Sequence, residues 1–238
     1  MSHLHYVPSC NSTNDLLPEL ISKGASFTGL YTFCQLQGRG TYGNLWEGSK
    51  EQNTALSIAM ESGAFPWSGF LFNYRTARLV RDYLASTTGL LVELKWPNDL
   101  VVGGKKVGGI LIEKISTGSV PYYIIGIGIN VLQKKFLGLP QASSLSVESR
   151  REFDLHAFTK GLYEHLVNGL TEYVSEEDIM EDFNCFLFRR DQVSVFESPN
   201  GIRQNGIIRK ALVEGTLLVE LEHCGSTAMR HKEYKLLY

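Results

Sequence analysis

The sequence lacks the features that anchor a protein to a membrane, to DNA or to structural metal. No run of 18 apolar residues occurs among its 238 residues, and the N-terminus has no basic-then-apolar signal pattern. A formal net charge of −2 gives no field that would attract nucleic acid or an anionic membrane. The cysteines lack CxxC spacing, which argues against a zinc site or a disulfide framework; they are Cys10, Cys34, Cys185 and Cys224. These absences predict a protein of the reducing cytoplasm.

Residues 35–46, QLQGRGTYGNLW, form a glycine-rich segment around one arginine. The spacing matches neither the P-loop nor the dinucleotide-binding fingerprint, so neither fold is supported. Glycines let a backbone approach an anion closely, and Arg39 can grip a phosphate or carboxylate through two parallel hydrogen bonds. The segment is therefore a candidate anion site, although taken alone it is more typical of a mobile surface loop.

A second charged segment surrounds a predicted hairpin. Strand-like residues flank Gly103-Gly104, a dipeptide that accepts the positive φ values of a tight turn. The turn should gather two lysines, an amide and a carboxylate, namely Lys95, Asn98, Asp99 and Lys106. Ammonium groups attract phosphates and carboxylates, a carboxylate can hold Mg²⁺, and an amide can read a purine edge. By itself, such a charged hairpin is more often only a solvated sheet edge.

Apolar spacing predicts an α+β fold. Helical spacing indicates four helices, which run from Ser12 to Gly24, from Gly69 to Ser86, from Phe153 onward and from Ser175 onward. Strands are predicted at 30–35, 55–60, 90–96, 107–115 and 122–131. Short turns join the later strands, so we expect a mainly antiparallel sheet with helices on one face.

The predicted secondary structure changes from helices to short strands near residue 190. Beyond that point short strands are predicted at 193–196, 206–209, 217–221 and 234–237, separated by turn-forming residues. We therefore predict a larger domain at residues 1–189 and a small β-barrel domain at residues 190–238.

Five motifs together resemble the catalytic core of biotin–protein ligases. They are Ser12-Thr13-Asn14, QLQGRGTYGNLW, LKWPNDLVV, KKVGGILIE and IIGIGINV, in that order. Because any one of them could arise in an unrelated loop or strand, their co-occurrence in order is what makes the resemblance specific. It implies a class II synthetase-like core, with a mixed or antiparallel sheet, and an SH3-like C-terminal barrel.

The chemistry implied by the resemblance needs fixed cations. In that family the biotin carboxylate attacks the α-phosphate of ATP, pyrophosphate leaves, and biotinyl-5′-adenylate then passes its biotinyl group to a carrier lysine. At ~4 Å and an effective dielectric of about 20, the two anions repel by roughly 4 kcal/mol. The resemblance assigns Lys106 and Arg39 to this meeting point, with Mg²⁺ on the phosphates and Asp99 as its possible ligand. It identifies no base for the carrier lysine.

The resemblance also assigns binding residues. The biotin set, whose hydroxyl and amide groups suit a neutral ureido ring, is Ser12, Thr13, Asn14, Gln35, Gly38, Arg39, Gly40, Thr41 and Lys106. The ATP set, with an indole to stack on adenine and amides to read its edge, is Arg39, Trp46, Lys95, Asn98, Asp99, Lys106 and Asn130. Without the resemblance, Ser12 and Thr13 could simply cap a helix, Trp46 and Trp96 could be core aromatics, and Asn130 could serve a turn.

Two departures from the family pattern carry predictions. Thr41 stands where many relatives have a basic residue, so we expect the loop to hold the adenylate less tightly, through Arg39 and backbone N–H groups. Only 11 residues precede Ser12, too few for a DNA-reading domain, which predicts a ligase without repressor function and without a nucleic-acid partner.

Three alternative functions remain open from the sequence. The first is a lipoate ligase, since lipoate ligases share the core fold and also adenylate a carboxylate. The second is a non-catalytic biotin- or nucleotide-binding module, which would keep the pocket without turnover. The third is a purely structural β-rich domain, which would leave the clustered motifs unexplained. The implied partner is the biotin carboxyl carrier domain of a carboxylase, docking at a sheet edge that could also receive a second ligase, so the protein is expected to be a monomer or a homodimer.

Overall fold

The computed structural model describes residues 2–21, 25–65 and 67–238. Within the described residues up to Asn130 there are nine strands: β1 (Ser2–Tyr6), β2 (Phe27–Thr32), β3 (Gly38–Arg39), β4 (Leu45–Trp46), β5 (Asn53–Glu61), β6 (Val92–Lys95), β7 (Asp99–Val102), β8 (Lys105–Thr117) and β9 (Val120–Asn130). The helices are α1 (Thr13–Leu16), α2 (Gly69–Thr88), α3 (Leu145–Ser149), α4 (Leu155–Thr171) and α5 (Glu176–Cys185). The last strands are β10 (Val193–Glu197), β11 (Arg203–Ala211), β12 (Leu217–Leu221), β13 (Gly225–Met229) and β14 (Lys235–Leu237).

A seven-stranded mixed sheet forms the centre of the fold. Its order is β1-β2-β5-β9-β8-β7-β6, with β1 and β2 parallel and every other neighbouring pair antiparallel. The hairpin at Gly103-Gly104 is confirmed, since these glycines adopt φ values of 56° and 79°. The mixed α+β class is likewise confirmed.

The two faces of this sheet have different coverings. Side chains alternate along a strand, and on β9 the isoleucines at 125, 127 and 129 enter the main hydrophobic core. The long helices α2 and α4 supply the other side of that core. The short helix α1 lies on the opposite face, against β5 and β9, so the prediction of helices on one face holds for the long helices and not for α1.

The helix predicted from Ser12 is shorter than its apolar spacing suggested. Ser12 caps it, accepting a hydrogen bond from the Asp15 backbone N–H at 3.4 Å. The α-helix ends at Leu16 and continues as a 3₁₀ turn over Leu17–Leu20, because Pro18 has no N–H to donate to an α-helical bond. Its predicted end at Gly24 lies outside the described residues.

The other three predicted helices are confirmed with small shifts of their ends. The helix α2 runs past Ser86 to Thr88 and ends at Gly89, whose φ of 74° is a left-handed cap. The strand predicted at 30–35 begins earlier and ends at Thr32. Residues 38–46 are a short hairpin of β3 and β4 joined by a 3₁₀ turn, where the sequence indicated only a loop.

The C-terminal strands form a second, antiparallel sheet in the order β13-β12-β11-β10-β14. The four predicted strands are present, and β13 is an additional one. This sheet is open, with β13 and β14 at its edges, so it is not shown to be the predicted barrel. Phe196 and Ile208 join the same hydrophobic cluster as the core of the larger sheet. None of the described helices is long and apolar enough to cross a membrane.

Candidate active site

A cavity of about 240 Å³ lies on the face of the large sheet opposite the long helices. Most of the residues predicted for the site line it: Ser12, Thr13, Asn14, Gln35, Arg39, Gly40, Thr41, Trp46, Lys95, Asn98, Asp99 and Lys106. Segments that are far apart in the sequence therefore meet here. Arg39 and Lys106 share this cavity, which is the convergence that the sequence predicted.

One end of the cavity is a network of neutral polar groups. The Gln35 Oε1 atom accepts hydrogen bonds from the Thr13 backbone N–H at 2.8 Å and from the Thr13 hydroxyl at 3.1 Å. The Ser57 hydroxyl lies 2.7 Å from Thr13 Oγ1 and 2.5 Å from Asn14 Oδ1, and it can donate to one of them at a time. Since Ser12, Thr13 and Asn14 are all buried, this end is held in a fixed arrangement. Ser57 was not predicted.

Arg39 is held by two carboxylates beside this network. Its Nη2 atom lies 2.6 Å from Asp15 Oδ1 and 3.2 Å from both carboxylate oxygens of Glu113. Glu113 also accepts a hydrogen bond from Asn14 Nδ2 at 2.7 Å, which links the arginine to the polar network. Arg39 remains about half exposed, so an entering anion can reach it. Neither acidic partner was predicted.

The opposite end of the cavity carries two lysines that share one carboxylate. Lys106 Nζ lies 2.6 Å from Asp99 Oδ1, and Lys95 Nζ lies 3.2 Å from Asp99 Oδ2. Burial alone would lower the pKa of Lys95, but its interactions with Asp99 and Tyr238 outweigh burial, so this pKa is raised above its usual value. The group therefore keeps a net positive charge, as an anionic ligand requires.

A bulge in β8 decides which face Lys106 occupies. Leu100 of β7 pairs with Gly108 but the next residue, Val101, pairs with Lys106, so Val107 is the extra residue on β8. Val107 is fully buried in the hydrophobic core. The bulge shifts the alternation of side chains, and Lys106 then lies on the cavity face, where it packs against Gly109.

Glycines on the sheet leave space at the base of the cavity. A Cβ atom on Gly128 would lie 2.6 Å from Cζ2 of Trp46, and one on Gly126 would lie 2.5 Å from Asn14 Oδ1. The alternation of glycine and isoleucine in IIGIGINV is the sequence signal that could have identified these positions. Gly38 has a similar reason to be glycine, since a Cβ there would lie 2.5 Å from the Trp46 carbonyl oxygen. It does not line the cavity itself.

Asn98 is anchored to the neighbouring strand. Its Nδ2 atom donates to the Ile110 carbonyl at 2.6 Å, and the Ile110 N–H donates to the Asn98 carbonyl at 3.0 Å. A contact of 3.4 Å also joins this amide to the Thr41 hydroxyl. The β7 turn and the glycine hairpin are therefore connected across the cavity by one side chain.

A second cavity of about 310 Å³ adjoins the first and has four predicted site residues in its wall besides Asn130. These four, Trp46, Lys95, Asp99 and Lys106, line both cavities. Asn130 lines only the second, where its amide donates to the Ser143 carbonyl at 3.0 Å while its buried Oδ1 has no hydrogen-bond partner. The predicted residues are thus divided between two connected spaces.

Sequence reasoning missed the contribution of the C-terminal sheet. His231 lines the first cavity and its ring centroid lies 5.8 Å from that of Trp96. Burial, followed by the charge of Lys232, lowers the pKa of His231. Tyr238 lines the second cavity. No local pattern could have identified these residues, because they reach the site only through packing of the two sheets.

Two carboxylates stand in the lining of the cavities: Asp99 lines both, and Glu47 lines the second. Within the described ranges, no three His, Cys, Asp or Glu side chains converge to hold a metal ion. Among the residues lining the first cavity, Asp99 is the carboxylate. A divalent cation in the first cavity would therefore have to be held mainly by its own ligand's oxygens, with Asp99 as the carboxylate in reach.

Comparisons with known proteins place the chain in one family. The model of the "Biotin/lipoate A/B protein ligase family" matches residues 6–130. The chain is 28% identical over 184 residues to "Bifunctional ligase/repressor BirA" from Bacillus spizizenii, covering 71% of this chain and 56% of that protein. It is 30% identical over 152 residues to "Biotin--[acetyl-CoA-carboxylase] ligase" from Mycobacterium tuberculosis, covering 60% of this chain and 54% of that one. The chain thus spans about half the length of these relatives.

The fold is also similar to that of a solved protein. With a TM-score of 0.81, the structure resembles the one described as "Biotin protein ligase from Aquifex aeolicus in complex with biotin and ATP", covering 99% of this chain and 98% of that chain. At 23% sequence identity the likeness is one of fold. Because the family model spans more than half of the sequence and includes every segment that builds the first cavity except the C-terminal one, the chain belongs to the biotin/lipoate A/B protein ligase family.

Proposed function

We propose that the protein is a biotin–protein ligase. It activates biotin with ATP to biotinyl-5′-adenylate, releases pyrophosphate, and transfers the biotinyl group to a lysine of a biotin carboxyl carrier domain. The observation that carries the proposal is the shared cavity of Arg39 and Lys106, in which two positively charged side chains from distant segments face one space. The named relatives and the Aquifex aeolicus protein, described with biotin and ATP, support the same reaction.

The polar end of the cavity suits the ureido ring of biotin. The groups around Thr13, Gln35 and Asn14 offer both hydrogen-bond donors and acceptors, and they are buried, so a ring that satisfies them is favoured over one that leaves them unpaired. Ser12, Gly38 and Gly40 complete this side through the helix cap and the hairpin backbone. Biotin bound in this way would direct its carboxylate towards Arg39 and Lys106.

The second cavity suits the nucleotide. Trp46 offers a ring face beside it, Asn130 has a buried acceptor without a partner, and Asn98 holds the turn that carries Asp99. ATP enters as its magnesium complex, so the ion is part of the co-substrate, and Asp99 is the carboxylate that lines both cavities, with Glu47 also in the wall of the second. Lys95 and Lys106 would then attract the phosphates, and with Arg39 they offset the repulsion between the two reacting anions.

Transfer to the carrier requires an exposed route for its lysine. The half-exposed Arg39 and the hairpin of β3 and β4 border the cavity on its open side. We propose the carrier domain of a biotin-dependent carboxylase as the partner, in the cytoplasm, with residues 190–238 acting as a small SH3-like domain beside the catalytic residues 1–189. This division follows the family resemblance and the change of sheet near residue 190.

A labelling experiment tests the proposed function. Purified protein is incubated with radiolabelled biotin, MgATP and an isolated carrier domain, and labelled carrier is measured for wild type, Lys106→Ala and Lys105→Ala. Lys105 is the adjacent lysine and is exposed, so it controls for loss of one positive charge. We expect labelling by wild type and Lys105→Ala, and at least a hundredfold loss in Lys106→Ala. Labelling with lipoate in place of biotin would identify a lipoate ligase, and binding without label would identify a non-catalytic module.

Thr41 permits a second test of the same site. It lies in the cavity wall, 3.4 Å from Asn98 Nδ2, and offers no positive charge to the adenylate phosphate. We therefore propose that this protein releases biotinyl-adenylate faster than one with a basic residue there. A Thr41→Arg variant should slow the release rate of labelled adenylate severalfold, and an unchanged rate rejects the proposal.

A further inference from the structure

The C-terminal sheet places an aromatic side chain in the nucleotide cavity. Tyr238 follows β14 directly and lines the second cavity together with Lys95, Asp99 and Lys106. None of the five sequence motifs includes this residue. Its position makes the small sheet part of the wall of the proposed ATP site.

Tyr238 is held in place from two sides. Its ring meets that of Phe188 edge to face, with centroids 5.0 Å apart and planes at 71°. Its main-chain oxygen accepts a hydrogen bond of 2.5 Å from Gln141 Nε2. The carbonyl of Gln141 in turn accepts the backbone N–H of Lys106 at 2.7 Å. Tyr238 is therefore tied to the strand that carries Lys106 as well as to its own sheet.

The ring of Tyr238 faces the Lys95 ammonium. The Lys95 Nζ atom lies 5.2 Å from the ring centroid, within the range at which a ring face attracts a cation. Asp99 contacts the same ammonium at 3.2 Å and is shared with Lys106, and the Tyr238 side chain also forms a hydrogen bond with Lys95. An aromatic ring fixes a cation without neutralising its charge, whereas a second carboxylate at the same place would repel phosphate.

We propose that Tyr238 is a positioning residue for ATP, whose ring holds the Lys95 ammonium in the second cavity where it faces the phosphates. The inference rests on the proposed function for the identity of the ligand. It adds that the C-terminal sheet determines nucleotide affinity through Lys95, without touching the biotin end of the site.

Kinetic constants and direct binding of MgATP to the full chain test this role. In Tyr238→Leu the ring is lost, and we expect KM for MgATP to rise about five- to tenfold, with KM for biotin unchanged and kcat nearly unchanged. In Tyr238→Phe the ring is kept and only the hydroxyl interaction with Lys95 is lost, so KM for MgATP should stay within about twofold of wild type. Tyr234→Leu is the matched control, since Tyr234 is in the same segment and packs against the core without lining either cavity. Binding of MgATP alone, measured by calorimetry, should weaken by the same factor in Tyr238→Leu.

The outcomes separate this inference from the proposed function. Unchanged MgATP binding in Tyr238→Leu overturns the inference, even if wild type labels the carrier domain. Equal weakening in Tyr238→Phe, or a parallel rise of KM for biotin, also overturns it, because the ring would not be the determinant or the effect would be general. If wild type binds MgATP but transfers no biotin, the proposed function fails, while selective weakening by Tyr238→Leu still assigns Tyr238 to the nucleotide site.

Discussion

The two faces of strand β9 carry different kinds of residue and serve different purposes. One face presents isoleucines at 125, 127 and 129 to the core, and the other presents Gly126 and Gly128 to the cavity. Apolar side chains on the first face stabilise the fold, while missing side chains on the second leave space for Asn14 and Trp46. In this one strand the odd-numbered residues contribute to stability and the even-numbered residues contribute to binding.

The largest expected effect lies on the core face. Ile125 is fully buried and pairs across the sheet with Ile58, so Ile125→Ala should lower the free energy of unfolding by about 3 kcal/mol. Urea unfolding measures this change. Below the unfolding transition, KM for biotin and for MgATP should remain near wild type. A large rise in either KM with unchanged stability would contradict the separation of the two faces.

Next in size is a substitution on the cavity face. Gly128→Ala would place a methyl group 2.6 Å from Cζ2 of Trp46, so the indole must move. We expect KM for MgATP to rise about tenfold, equivalent to ~1.4 kcal/mol, with a smaller change in unfolding free energy than in Ile125→Ala. Gly69→Ala is the control, because a Cβ there meets open space. If Gly128→Ala leaves KM for MgATP unchanged, the position of Trp46 does not depend on the absence of a side chain at residue 128.

A smaller effect concerns Arg39 at the edge of the cavity face. In the ligand-free protein Asp15 competes for the guanidinium that we assign to the reacting anions. Because both side chains are about half exposed, the ion pair is weak, and Asp15→Asn should lower KM for biotin only about two- to threefold. Glu19→Gln, which alters an exposed carboxylate on the adjoining turn, should have no effect. A raised KM in Asp15→Asn would show that Asp15 orients Arg39 instead of competing for it.

The smallest effect is expected from Glu93, whose neighbours Val92 and Leu94 belong to the core. Burial raises the pKa of Glu93 above its ordinary 4.5, and the charge of Arg189 only partly opposes this. The folded chain therefore holds a proton that the unfolded chain has lost, so stability falls as pH rises from about 4.5 through the raised pKa. Glu93→Gln should flatten that part of the pH profile of Tm and slightly raise Tm at pH 7. Glu152→Gln, at an exposed position, should leave the profile unchanged.

The sequence predicted those parts of the molecule whose signals are local. Helix α2 was identified from its spacing, and Gly103-Gly104 from the φ values that its turn needs. The motif residues converge because β-strand order brings their segments together, which the family resemblance implied and periodicity alone did not. Asp15 and Tyr238 could not be identified, since each matters only through a contact formed by distant packing.

The open C-terminal sheet shows a similar limit. Short strands at regular spacing predicted a barrel, but the same spacing is compatible with an open sheet whose edges are β13 and β14. Strand number and length are local properties, whereas closure depends on how far successive strands are staggered. Sequence periodicity carries no information on that stagger.

The extra residue in β8 has a consequence for anyone who compares this chain with its relatives. Ile110 faces the hydrophobic core, and strict alternation along the strand would place Lys106 on the same face. An unpaired ammonium group there would be costly. The extra residue Val107 shifts the alternation of side chains by one position, so Lys106 lies on the opposite face from the one that strict alternation would give. A relative that lacks this one residue would keep its lysine on the cavity face by simple alternation, so the insertion and the bulge have to be aligned together.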